Sequence, residues 1–251
     1  MKLVHPFSGA EIKLPHIKSF SHWQNLQTRK IYTSFICKCA LSSNPLSSRG
    51  DKVWTTIETW YSRYSDIIYY EGKFYALDCR GCIMTCDVGG DNPTVAQEVA
   101  NMPYELFKKY FERLYLVESG GEFLVVSREI GEPSTIQEGR HNSTYATLKF
   151  HVFKVDLMTN TWTKIKELGN RALFLGNNTS VSIEASYNSF CKSNCIYFTD
   201  DNGETYRHYG DGGGKDIGIY NLEDGSITSY FGDNISCNRL TPPLWVEQSF
   251  Y

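Results

Sequence analysis

The sequence has no apolar run approaching the roughly 20 residues of a membrane-spanning helix. Its opening, Met1-Lys2-Leu3-Val4-His5-Pro6-Phe7-Ser8-Gly9, lacks the long apolar stretch of a secretory leader. Neither membrane insertion nor secretion is expected, which points to the cytoplasm or nucleus. An excess of positive charge is also missing. Lys and Arg number 25 against 28 Asp and Glu, a net charge of −3, so the broad basic surface of a nucleic-acid or anionic-membrane binder is not expected. No Gly-x-Ser-x-Gly elbow is present for nucleophilic catalysis. The six histidines (His5, His16, His22, His141, His151, His208) form no paired metal motif. A triad assembled from distant residues would leave no such trace, but the reading is of a non-enzyme with no catalytic, cofactor-binding or metal site residue and no cofactor.

What is present is an ordinary globular composition, 41% hydrophobic and 21% charged over 251 residues, with enough chain to bury a core. The 17 Tyr, 14 Phe and 20 Gly favour strands and tight turns over helices.

Eight cysteines (Cys37, Cys39, Cys79, Cys82, Cys86, Cys191, Cys195, Cys237) are expected as free thiols in a reducing compartment. The sequons at Asn142, Asn177, Asn178 and Asn234 then meet no glycosylation machinery. Cys79-Arg80-Gly81-Cys82 with Cys86, Cys191 and Cys195 has a spacing suggestive of zinc. Cys82 and Cys86, however, fall on one expected strand, where i and i+4 sit roughly 13 Å apart, too far for one ion. Gly210-Asp211-Gly212-Gly213-Gly214-Lys215-Asp216 lacks the Ser/Thr and following helix of a phosphate loop. Asp200-Asp201-Asn202-Gly203-Glu204 lacks the later bidentate Glu of a calcium loop, and reads as a polar turn leading into a flexible loop.

Alternation and turn residues divide the chain into meanders. The first runs through Asp66–Tyr70, Phe74–Asp78, Cys82–Val88 and Thr94–Val99, with turns at Glu71-Gly72-Lys73, Cys79-Arg80-Gly81 and Gly89–Pro93. A second comprises Leu114–Glu118, Glu122–Ser127, Thr147–Leu157 and Thr161–Lys166. The third comprises Arg171–Leu175, Ser180–Glu184, Asn194–Thr199 and the hairpin Asp216–Tyr220/Ser226–Phe231. Pro103–Leu114 has helical spacing and a favourable first-turn Pro.

The closing hairpins resemble one another. Val155-Asp156-Leu157-Met158-Thr159-Asn160-Thr161-Trp162 aligns with Tyr220-Asn221-Leu222-Glu223-Asp224-Gly225-Ser226-Ile227 and with Val4-His5-Pro6-Phe7-Ser8-Gly9-Ala10-Glu11, and loosely with Cys86–Asp91. The intervals 86 to 155 and 155 to 220 are 69 and 65 residues, longer than a propeller repeat of roughly 50, and polar loops at 129–146 and 200–216 supply the excess. The expected fold class is an all-β, incomplete β-propeller of four-stranded blades, about three full ones plus partial ones. A β-sandwich or barrel is the alternative. Trp54 and Trp162, each just after a blade hairpin turn, are expected in inter-blade packing, with a binding anchor as the sharper alternative. The loops 129–146 and 201–216 are the better candidates for partner contact, since binding residues concentrate on loops carried by a rigid scaffold.

Asp66–Leu77, Leu114–Ser119, Leu168–Gly176 and Asn194–Asp201 together resemble the KIB-type, Kelch-like β-propeller of plant F-box proteins, over most of residues 2–232. The resemblance implies a protein-interaction module that captures substrates for ubiquitination, partnered in the whole family protein by Skp1 through an F-box. Residues 1–30 contain no such segment, so no direct Skp1 binding is expected here and the protein substrate is unnamed. Alternatives are a small-molecule-binding or catalytic propeller and a non-functional truncated product. Only Leu46-Ser47-Ser48 separates Pro45 from Arg49, where the family has about two further strands. The propeller is therefore expected over 1–232, with a blade remnant at 1–60 (strands Ile31–Ser42 and Lys52–Glu58), fuller blades at 66–232, and a tail at 233–251 packing on or closing it.

Overall fold

The computed structural model describes residues 2–4, 9, 11–16, 38, 40, 56–59, 64–88, 95–106, 113–131, 145–187, 190–201, 216–229 and 244–246. Strands β1 (Lys2–Val4) and β2 (Glu11–Lys13) form a hairpin. Strands β3 (Tyr64–Tyr70), β4 (Lys73–Asp78), β5 (Cys82–Cys86) and β6 (Gln97–Asn101) form a first four-stranded antiparallel meander. Strands β7 (Arg113–Ser119), β8 (Glu122–Gly131), β9 (Ala146–Asp156) and β10 (Thr161–Ile165) form a second. A third sheet holds β11 (Arg171–Leu175), β12 (Ser180–Glu184), β13 (Cys195–Phe198), β14 (Gly218–Asn221) and β15 (Ile227–Ser229).

The turns explain the meanders. Tyr70 pairs with Lys73 across Glu71 (φ 44°) and Gly72 (φ 85°), and Ser119 pairs with Glu122 across Gly120 (φ 63°) and Gly121 (φ 85°). Two left-handed central residues match the twist of the flanking strands. Lys73 and Ser119, expected as turn residues, are therefore strand residues.

The second sheet lies between the other two and is buried on both faces. Along β7 and β8, Leu114, Leu116, Phe123 and Val125 pack on Leu77, Ile83, Ala100 and Met102 of the first sheet and its flank. The alternate residues Tyr115, Val117, Leu124 and Val126 pack on Leu173, Leu175, Ile196 and Phe198 of the third. Period-two alternation with both faces apolar gives the unbroken runs at 114–117 and 123–126. The outer faces carry smaller clusters: Cys82, Met84 and Ala96 with Ile57, and Ala172, Cys195 and Tyr197 with Phe174 and Trp245.

Three expectations are corrected. The third sheet is not a simple meander: its order is β12-β11-β13-β14-β15, with β11 and β13 parallel. Strand β12 folds back along β11 on the side facing β7, and the chain returns through a turn at Ala185–Tyr187 to place β13 on the other side. The helix expected over Pro103–Leu114 is present at its start, where 104–106 are helical and Leu106 N donates to Pro103 O (2.9 Å); 107–112 lie outside the described residues, and the expected end is overturned because the strand begins at Arg113. Leu114 belongs to β7, where its alternation with Tyr115 fills two cores. The first sheet's fourth strand begins at Gln97, not Thr94, and Glu58 makes an isolated parallel bridge to Val95. The expected strand at Ile31–Ser42 and most of that at Lys52–Glu58 lie outside the described residues.

Candidate functional site

Strands β3, β7 and β12 lie side by side, and charged residues are buried where they meet. Asp66 of β3 (2% exposed) accepts through Oδ2 from Leu116 N of β7 (2.9 Å) and from Ser180 Oγ of β12 (3.2 Å). Its Oδ1 accepts from Ile67 N (2.6 Å) and from Lys38 Nζ (2.5 Å). One carboxylate thus ties together three sheets. Burial pushes the Asp66 carboxyl up and the Lys38 ammonium down, and their mutual attraction opposes both shifts.

Arg128 of β8 anchors the larger cluster and is 1% exposed. Its Nε donates to Thr147 Oγ1 (2.8 Å). Nη1 donates to Thr199 O (2.9 Å), Asp201 Oδ1 (3.2 Å) and Tyr115 Oη (3.2 Å). Nη2 donates to Asp216 Oδ2 (2.9 Å) and Asp216 O (3.2 Å). All three guanidinium nitrogens are engaged, and the group lies 4.8 Å from the Phe198 ring centroid. Around it, Tyr115 Oη donates to Asp201 Oδ2 (2.7 Å) and Thr147 Oγ1 to Asp216 Oδ2 (2.8 Å). Arg113 Nε pairs with Asp201 Oδ2 (2.8 Å), and Tyr145 Oη donates to Asp200 Oδ1 (2.5 Å). Burial alone would lower the Arg128 pKa; Tyr115, Asp201 and Asp216 raise it, so the guanidinium stays charged. Burial, with Asp201, raises the Tyr115 phenol, which stays protonated.

The chemistry of this cluster is positional. Arg128 lies just before residues 129–146 and binds Thr147 just after them, and its other partners, Asp201 and Asp216, bracket residues 202–215. Both segments therefore start and end at one guanidinium. The loop limits are narrower than expected, since β8 runs to Gly131 and β9 begins at Ala146. Asp200 and Asp201, expected in a polar turn leading into a flexible loop, are buried (0% and 2% exposed) because Arg113, Arg128, Tyr115 and Tyr145 bind them.

The remaining candidates scatter. Cys82 and Cys86 do share one strand, β5; Cys82 is buried, its thiol pushed up to about 12 by desolvation. Among the described residues no three His, Cys, Asp or Glu side chains group as metal ligands. Trp162 packs against the first–second sheet core and donates from Nε1 to Asn160 Oδ1 (3.1 Å). Asn177 and Asn178, marked only as sequons, spend their amides on Arg113 and on the backbone of Trp245. His151, on β9, is 3% exposed between Lys164 and Glu129. Cys37, Cys39, Cys237, His5, His22, His141, His208, Trp54, Asn142, Asn234 and Gly210–Lys215 lie outside the described residues. Sequence reasoning missed Arg128: a lone Arg within a β-strand has no motif, and only its apolar flanks, Val125-Val126 and Ile130, mark it as inward.

Among the described residues no helix is long and apolar enough to cross a membrane. A family model described as KIB1-4 beta-propeller matches residues 1–221. Among curated proteins, "Putative F-box protein At5g55150" of Arabidopsis thaliana is 29% identical over 187 residues, 73% of this chain and 48% of that one. F-box protein SKIP23 of Arabidopsis thaliana is 28% identical over 190 residues, 70% of this chain and 44% of that one. The chain spans about half the length of these relatives. No solved structure matches it.

Proposed function

Because the chain belongs to the KIB1-4 β-propeller family, we propose that it is a non-enzymatic protein-interaction module that captures a protein partner through residues 132–144 and 202–215. By its likeness to F-box proteins, this is the substrate-recognition half of a ubiquitin-ligase subunit, working in the cytoplasm or nucleus. The observation that supports the reading is the convergence of both segments on Arg128. A rigid base holding two long polar segments together is the arrangement in which binding residues collect, and the buried charges serve to fix that base.

The test compares affinity capture from plant tissue by the intact chain and by a chain whose residues 202–215 are replaced by a Gly-Ser linker of equal length. Both must retain the same circular dichroism. A protein partner held by the first and lost by the second supports the proposal. Identical partner sets, or turnover of a small molecule by the purified chain, would overturn it.

A further inference from the structure

The outer face of the third sheet, away from the second, carries a built slot around Trp245. The Asn178 side chain binds both backbone groups of that residue: Nδ2 donates to Trp245 O (2.7 Å), and Oδ1 accepts from Trp245 N (3.1 Å). A neighbouring β-strand would offer the same donor and acceptor. The indole Nε1 donates to Leu175 O (2.8 Å) at the end of β11. Its ring stands edge-on to Phe174 (centroids 5.0 Å, interplanar angle 87°), and Phe174 is stacked on Tyr197 (4.6 Å, 9°). Gly176 leaves the space the ring needs: a Cβ there would lie 2.9 Å from Trp245 Cδ1 and 3.3 Å from Nε1.

Every one of these contacts is made either to backbone or to the indole. The neighbours Leu244 and Val246 are 59% and 55% exposed, so their side chains contribute little to recognition. A phenylalanine in the slot would leave Leu175 O without the indole donor. Main-chain pairing plus one pocketed side chain is how sheet proteins read extended peptides. We infer that Gly176, Asn178, Leu175 and the Phe174–Tyr197 pair form a receptor for one tryptophan in an extended partner peptide, which the chain's own Trp245 fills in cis. This receptor uses no residue of 132–144 or 202–215 and goes beyond the function proposed above. The cis segment competes at the effective concentration of a tethered ligand, of order millimolar, so a partner peptide binds the intact chain only by displacing it.

The probe is a fluorescein-labelled Pro-Leu-Trp-Val-Glu peptide, which copies residues 243–247, with fluorescence anisotropy as the readout on the full chain. The Trp245→Ala chain is expected to bind it at least tenfold more tightly than the unaltered chain. That binding is expected to disappear when the probe's Trp is replaced by Ala, and to fall at least tenfold when Asn178→Ala is added. Equal affinity of the two chains, or equal binding of the Trp-free probe, overturns the inference. A second measurement needs no variant. Millimolar unlabelled probe added to the unaltered chain is expected to speed amide exchange in a peptide covering 244–246, because the bond from Trp245 N to Asn178 is lost. Unchanged exchange overturns it as well.

Discussion

Arg128 is the residue on which most depends. It faces two aspartates, each 2% exposed or less, so removing its charge takes a buried cation from both, and Asp201 keeps Arg113 as its ion-pair partner. Breaking a buried ion pair from one side costs about 3–5 kcal/mol, whereas replacing all partners by neutral groups costs far less. Arg128→Met is therefore expected to lose about 3–5 kcal/mol in urea denaturation, and adding Asp201→Asn with Asp216→Asn should recover part of it; a loss below about 1 kcal/mol would show the cluster to be unimportant. His151 makes a second, pH-dependent case. Lys164 Nζ donates to Nδ1 (2.8 Å), so the neutral ring carries its proton on Nε2, facing Glu129 (3.3 Å). Burial, then Lys164, lowers its pKa from 6.5 to about 4, against the pull of Glu129. Between those values the unfolded chain holds the proton more tightly, so this contribution is full above pH 6.5 and is lost as pH falls towards 4. Screening through the partly exposed Glu129 side holds the linkage to about 1–2 kcal/mol. His151→Gln should flatten the stability profile across that window. An unchanged slope in the variant would show that His151 does not set it.

At the level of elements, the closing hairpins were the most legible part of the sequence, and the structure shows why. Val4 pairs with Glu11, Val155 with Trp162 and Tyr220 with Ile227, so the aligned first and eighth residues oppose one another in all three. Their sixth residues, Gly9, Asn160 and Gly225, are all left-handed, at φ 70°, 53° and 74°. Asp156 and Asn221 each cap the turn by accepting from the amide two residues on. Turn chemistry is local, so it is written in the sequence. The looser fourth alignment, at Cys86, has no such closure, since Thr85 pairs with Gln97 across a longer connection. The fold-back of β12 and the Arg128 cluster were not legible, because both depend on contacts some 60–90 residues apart that no local pattern encodes. The turns also rank substitutions. Gly225→Ala forces a Cβ into a left-handed position where it meets only Tyr220 Oη, in ordinary contact at 3.5 Å, at about 1–2 kcal/mol. Gly81→Ala, at φ 85°, meets Met102 Cβ at 2.6 Å as well, and overpacking adds about 1–3 kcal/mol. Thermal unfolding should therefore place Gly81→Ala well below Gly225→Ala; the reverse order would contradict the packing at Met102.

For the whole molecule, the order of the sheets predicts where stability concentrates. Strand β8 is paired along both edges, by β7 and β9, and its residues Phe123–Val126 are buried on both faces, between 0% and 3% exposed. Exposing its amides requires parting the second sheet from a neighbour, which opens a whole interface. Among the described residues, strands β6 and β15 each have a sheet partner on one side only and end their sheets, so local fraying exposes them without disturbing either large core. Native-state hydrogen exchange should place the β8 and β9 amides in the slowest class, at least tenfold slower than those of β6 and β15, a gap of about 1.4 kcal/mol. A core truncation tests the same hierarchy. Leu116→Ala removes a fully buried side chain from the first–second interface and is expected to cost about 2–5 kcal/mol. Because β8 belongs to both interfaces, that loss should appear as faster exchange throughout β7–β9 and in Leu173–Leu175 across the second–third interface. Exchange that quickens only in the first sheet would mean that the two interfaces open independently and that the second sheet does not couple them.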